Sequence, residues 1–378
     1  MRKTVLKLLS AAVLLLSATP ARAQQPAEDF ERVAARAEQA RGAGRSDEAV
    51  GLYRKALALR PAWAEGWFKL GTLLYDRDAY AEAADALRRA ASLSPEAATV
   101  WALLGLCEFK LGRYAEALEH VQRGRRLGAD SEPQLRDVLL YHEGLLLLSK
   151  GDFERAQETL GRLGREGVES PELTDALGLS VLRVRFTGRV RTDAALAELI
   201  RRAGRAEQLA AQKKFSEALG EYERLAADFP AAPNVQYAFG RFLLVTNDAE
   251  RGVAALVRET ENTPGHLPAR LLIADTKLRL KDFAGGLPFA EQAVRMSPGL
   301  PLARYLLGSL LAGAGQTARA VEELERAARL MPDEPKIHYA LSQAYERAGR
   351  REDARRALAA FARLRRQQEG ADKENERR

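Results

Sequence analysis

AEGWFKLGTLLYDRDAYAEAADALRRAASLSPEA, residues 64–97, runs directly into ATVWALLGLCEFKLGRYAEALEHVQRGRRLGADS, residues 98–131. Set one above the other, Trp67 falls on Trp101, Leu70-Gly71 on Leu104-Gly105, Ala83 on Ala117 and Leu87 on Val121. The interval is 34 residues, and Pro61 and Pro95 keep it, as do Pro230, Pro264, Pro298 and Pro332 in the other half of the chain. A fixed period of this length is the signature of stacked helix-turn-helix units.

The chemistry of the offsets says why. In each unit the apolar residues recur at helical spacing in two halves, so each unit is two helices. Gly71 and Gly105 stand where a larger side chain would collide with the partner helix, and Ala83 and Ala117 face them. Proline lacks the N–H that would continue the ladder, so it ends the second helix. This order of Trp, Leu-Gly, small residue and Pro resembles the tetratricopeptide repeat. The resemblance implies an all-α fold, a right-handed α-solenoid of about nine such repeats, interrupted near residues 165–197.

The remaining units follow outward. Ala37, Ala49, Tyr53, Ala56 and Pro61 mark a first unit without Trp or Leu-Gly, as an end unit that meets water allows. Gly144, Ala156 and Leu160 mark the fourth. Gly112 and Gly151 fall in turns between helices. Pro171 to Leu182 reads as one amphipathic helix and Arg183 to Thr192 as an irregular or strand-like bridge, within a degenerate repeat. The rhythm resumes through Ala218, Gly240, Ala293, Gly308, Ala320, Leu341 and Ala354. The expected organisation is a signal peptide at 1–23, an N-terminal array at 24–164, the bridge at 165–197, a C-terminal array at 198–366 and a charged disordered tail at 367–378.

Arg2, Lys3 and Lys7, then the apolar run Leu8 to Ser17, then Ala21-Arg22-Ala23, have the order of an export signal with cleavage near Ala23. A periplasmic or secreted location is therefore expected. The run is too short to span a bilayer of about 30 Å, so no transmembrane segment is expected in the mature chain. The net charge of +7 falls to +3 without the leader, and most of that excess sits after residue 350. A nucleic-acid binder concentrates positive charge on one face, so no nucleic acid is expected. Cys107 is the single cysteine, which leaves packing, not disulfides, to hold the fold.

His120, His142, His266 and His338 lie far apart and make no metal-ligand spacing. Cys107 sits among leucines and reads as a buried thiol. Glu322-Glu323 and Glu352-Asp353 read as solvated charge. No phosphate loop or dinucleotide pattern occurs. The expectation is therefore no enzyme, no cofactor and no catalytic metal.

The resemblance implies binding along the first helices, at the second, fifth, ninth and twelfth places of each unit. Those places hold Asn234, Tyr237 and Arg241, then Tyr305 and Ser309, then Lys336, Tyr339 and Gln343; nearer the start they hold Phe68 and Thr72, then Thr99, Ala102 and Leu106. Tyr and Arg often carry interface energy. The expected function is an exported scaffold that binds a protein or peptide partner in this groove, within an envelope or secretion assembly. The alternative is a glycan or small-ligand binder, or an accessory subunit of polysaccharide export. The sequence does not set the oligomeric state.

Overall fold

The computed structural model describes residues 24–131, 133–188 and 194–376. The expected leader at 1–23, residues 189–193 of the expected bridge and residues 377–378 of the expected tail lie outside them. Among the described residues there are nineteen α-helices and no strand, which is the all-α array of helix hairpins expected from the 34-residue period.

The helices form two compact units, one ending at Glu221 and one starting at Tyr222. The first holds α1 (Gln24–Gly42), α2 (Ser46–Leu59), α3 (Ala64–Asp76), α4 (Tyr80–Leu93), α5 (Ala98–Lys110), α6 (Tyr114–Arg126), α7 (Pro133–Lys150), α8 (Phe153–Arg165), α9 (Pro171–Val181) and α10 (Ala194–Ala211). Helix α11 (Phe215–Asp228) carries the division between the units. The second unit continues with α12 (Val235–Val245), α13 (Ala249–Asn262), α14 (Leu267–Arg279), α15 (Phe283–Met296), α16 (Pro301–Gly313), α17 (Thr317–Leu330), α18 (Pro335–Arg347) and α19 (Arg351–Glu376). The last helix runs past residue 366, through the stretch read as a tail. The break in rhythm near 165–197 falls inside the first unit.

Each hairpin closes on a small residue. A β-carbon added to Gly71 would come within 2.6 Å of Leu87 Cγ; at Gly308 it would meet Leu324 Cγ at 2.6 Å, and at Gly105 the backbone nitrogen of Val121 at 2.8 Å. The second helices answer with fully buried alanines, Ala83, Ala117, Ala156 and Ala320. Large apolar side chains complete the core, with Leu87, Leu104, Leu139 and Leu146 fully buried.

The turn inside each hairpin also repeats. Gly112 (φ 75°) and Gly151 (φ 85°) are left-handed, and so, at equivalent places, are the non-glycines Asp78, Lys213, Asn247 and Lys281. The next N–H reaches back five residues, as Arg113 N–H to Glu108 O at 2.9 Å and Asp248 N–H to Leu243 O at 2.8 Å. This arrangement satisfies the free carbonyls at the end of the first helix.

Helix α9 makes that same turn. Arg183 has φ 55°, and Val184 N–H bonds Leu179 O at 2.9 Å. Yet no helix follows at once: residues 184–187 have no regular structure. Helix α9 packs instead on α10, backbone to backbone. A β-carbon on Gly178 would lie 1.9 Å from the carbonyl oxygen of Ile200, and one on Gly204 would lie 1.8 Å from that of Thr174.

These contacts rank the glycines. Gly71→Ala would put a β-carbon 2.6 Å from Leu87 Cγ, so that buried side chain has to shift; a gain of about 1 kcal/mol in helix propensity offsets part of the cost, so it should cost less than Gly204→Ala. Gly204→Ala has to move a backbone and should cost about 1–3 kcal/mol or more. Urea unfolding followed by circular dichroism compares the two; equal midpoints would contradict the α9–α10 packing.

Candidate functional site

The places expected to bind along the first helices differ widely in accessibility. On α18, Lys336, Tyr339 and Gln343 are all exposed, Tyr339 at 48%, and they share one face at helical spacing. The Tyr339 ring leans on Phe361 of α19, centroids 5.2 Å apart. On α16, Tyr305 and Ser309 are half-buried. Tyr305 packs against the apolar clusters on both sides of it, and burial raises its phenol pKa above the usual value. On α3, Phe68 and Thr72 are half-buried, and the Thr72 hydroxyl donates to Lys69 O at 2.8 Å. Ala102 and Leu106 on α5 are buried and belong to the core.

Tyr237 departs from its expected role. It is 4% exposed and its ring packs on His266, centroids 4.7 Å apart. The reason is a buried polar network at the start of α12. Glu259, from α13, is fully buried. Its carboxylate accepts the backbone N–H of Asn234 at 2.9 Å and of Tyr237 at 3.2 Å, with Thr263 Oγ1 donating at 3.0 Å. His266 Nδ1 accepts Ala269 N–H, so Nε2 is the donor to Asn234 Oδ1 at 2.9 Å. Asn234 is left-handed, φ 68°. Two polar residues thus cap α12 and α14, and the tyrosine beside them is packing. Arg241, half-buried, lies 5.7 Å over the Tyr237 ring.

The fourth place of a unit has a role that the sequence reading did not assign. Trp67 Nε1 donates to Pro61 O and Trp101 Nε1 to Pro95 O, each at 2.8 Å. Arg304 Nε reaches Pro298 O and His338 Nε2 reaches Pro332 O, each at 2.7 Å. Each bond ties a first helix to the proline that closes the preceding unit. The signal was available in the fixed separation of six residues, but Trp, Arg and His share no obvious class.

An aromatic cluster in the first unit was also missed. Phe109 stands at the twelfth place of its unit. His142 meets it edge-on, centroids 4.8 Å apart, and Tyr141 meets His142 at 5.5 Å. Phe186, from the segment after α9, stacks on Phe109 at 5.8 Å and 8°, and Tyr114 is 5.8 Å from Phe186. Only the folded chain brings residue 186 to residue 109.

Titratable chemistry is subdued here. Burial pushes the His142 pKa down to about 4, with Lys110 adding to the effect; its Nδ1 donates to Val138 O at 2.7 Å. Burial pushes the Cys107 thiol up to about 12, which removes the thiolate a nucleophile needs. Among the described residues no cluster of His, Cys, Asp and Glu could hold a metal ion, and no helix is long and apolar enough to cross a membrane. A cleft of about 600 Å³ opens between α9 and α10, where Thr174, Asp175, Arg201, Arg205 and Gln208 line it. Thr174 Oγ1 donates to Gln208 Oε1 at 2.7 Å within it.

Comparison with known families finds the tetratricopeptide repeat at residues 34–98, 70–132 and 271–335, and a second description of the same repeat at 311–371. Together these matches span more than half of the chain. Among solved structures, MamA from Desulfovibrio magneticus RS-1, residue 41 to the end, is 24% identical; the match covers 45% of this chain and 97% of that one, with a TM-score of 0.43. MamA MSR-1 is 21% identical over 45% of this chain and 98% of its own, TM-score 0.40. A further MamA crystal structure is 14% identical over 44% and 96%, TM-score 0.41. No curated protein matches the sequence.

His142 gives a pH test. Unfolded, its imidazole takes up a proton near pH 6.5; folded, it resists to about 4. Protons therefore favour the unfolded chain between these values. Stability is full above pH 6.5 and falls as pH drops toward 4, by on the order of 1–3 kcal/mol. Melting curves at pH 7 and pH 5 should show a larger loss for the native chain than for His142→Gln. Parallel losses would mean that the ring is not held neutral.

Proposed function

We propose, since the chain belongs to the tetratricopeptide repeat family, that it is a scaffold that binds a protein or peptide along the exposed faces of its first helices. The observation that carries the reading is the open face of α18. Lys336, Tyr339 and Gln343 are exposed together there, while equivalent residues on α12 and α16 are partly or wholly taken into packing. An exposed tyrosine flanked by a cation and an amide supplies apolar area, a charge and hydrogen bonds to one extended ligand.

Tyr339→Ala removes ring contact without opening a core, whereas Tyr305→Ala would disturb two apolar clusters. The triple change Lys336→Ala, Tyr339→Ala and Gln343→Ala should leave the melting temperature close to native. It should weaken partner binding by about 2 kcal/mol or more. Crosslinking in the native cell identifies the partner, and titration of that partner against both chains measures the loss. Undiminished affinity would remove this face as the site.

The order of charge, apolar run and Ala21-Arg22-Ala23 at the start of the chain supports export, with work inside an envelope or secretion assembly. Mass spectrometry of the protein recovered from its source should find Gln24 as the first residue; a chain that begins at Met1 in the cytoplasm would overturn this part. A second reading, small-ligand binding, is favoured by the cleft between α9 and α10. Its volume of about 600 Å³ lies in the range of ligand sites. Its lining holds no aromatic ring on which a sugar could stack, so a small polar ligand suits it better than a glycan.

A further inference from the structure

The segment that follows α9 behaves unlike the other hairpin connections. The turn is complete at Arg183, but the chain then leaves the helical path and crosses the ends of earlier hairpins. Its anchors are side chains. Arg183 pairs with Glu154 at the start of α8 and lies 4.8 Å over the Phe153 ring. Arg185 lies against the α7–α8 turn, where a β-carbon on Gly151 would be 3.0 Å from Arg185 Nη2. Phe186 stacks on Phe109 and meets Tyr114, and Gly188 passes under the Tyr114 hydroxyl. Arg185, Thr187 and Gly188 are exposed, so the segment lies on the surface, not in a core.

We infer that the aromatic cradle of Phe109, Tyr114 and His142, with Glu154 beside it, is a peptide-binding site that the chain fills with its own Arg183-Val184-Arg185-Phe186. The site takes an extended peptide with a basic residue three places before an aromatic ring. Three residues of extended chain span about 10 Å, and the two anchors on the face are a carboxylate and a pair of rings. The inference rests on the reading that first-helix faces bind peptides, and it extends that reading to a second, self-occupied face in the other compact unit.

A partner has to displace the seated segment. An internal segment competes at an effective concentration of about millimolar. If it is seated ten times in eleven, the apparent affinity for a competitor falls about tenfold.

The test uses the full chain and a labelled peptide with the sequence of residues 182–188, capped at both ends. Fluorescence anisotropy is read to about 1 mM peptide, the range set by that effective concentration. Phe186→Ala should bind the peptide at least about tenfold more tightly than the native chain. Adding Phe109→Ala to that variant should abolish binding. Arg183→Glu releases the other anchor without touching the cradle and should shift affinity in the same direction, so a misfolded Phe186→Ala, seen by circular dichroism, does not end the test. Equal affinity of native and released chains, no binding to either released chain, or binding that survives Phe109→Ala would each overturn the inference. None of these results bears on the α18 face, whose partner binding is read with its own variants.

Discussion

Two helix backbones approach each other within each hairpin closely enough that the residue between them has to be small. Everything regular in this chain depends on that contact. Gly71, Gly105, Gly240 and Gly308 admit no β-carbon without displacement of a neighbour, because Leu87, Val121, Leu256 and Leu324 of the paired helix fill the space above them, beside the backbone oxygens of Ala83, Ala117, Gly252 and Ala320. The glycine thus makes room for a large side chain of its partner helix, and other large side chains lie on the outer flanks of the pair. There they pack against the next hairpin, and interdigitation of rigid apolar groups sets the register of one pair on another. The α9–α10 contact is the extreme case, since backbone oxygen, not a side chain, fills the space above Gly178 and Gly204.

The periodic elements were legible from the sequence because they obey local rules. The prolines spaced by 34 residues each follow the end of a second helix, and small residues at fixed offsets admit a close approach, so that spacing was enough to read hairpins, although Pro288 sits inside α15. The turns were partly legible. Gly112 and Gly151 marked turns, and both are left-handed, but Lys213 and Lys281 take the same conformation without a glycine, at a cost in backbone energy that the hairpin contacts offset.

Exposure was harder to read. Tyr237, Tyr305 and Tyr339 occupy the same place in the repeat, yet one is buried, one half-buried and one open. The difference lies in neighbours that the period does not specify. His266 packs on the Tyr237 ring and Glu259 holds its N–H, apolar clusters close around Tyr305, and Tyr339 leans on Phe361 yet stays open. The stacking of Phe186 on Phe109 was beyond reach for the same reason. It joins residues from different repeats across an irregular segment, and no spacing rule connects them.

The bond from the fourth place to the preceding proline has a wider meaning for how such chains diverge. Indole, guanidinium and imidazole all serve, so what is selected is a nitrogen donor held at the right reach. Aromatic character and bulk are free to vary. A search that scores this column by resemblance to tryptophan would pass over units like those of Arg304 and His338, although their joints are made in the same way. A repeat of this kind can therefore exchange a flat apolar side chain for a charged one, and acquire a new surface, without loosening its hold on the unit before it.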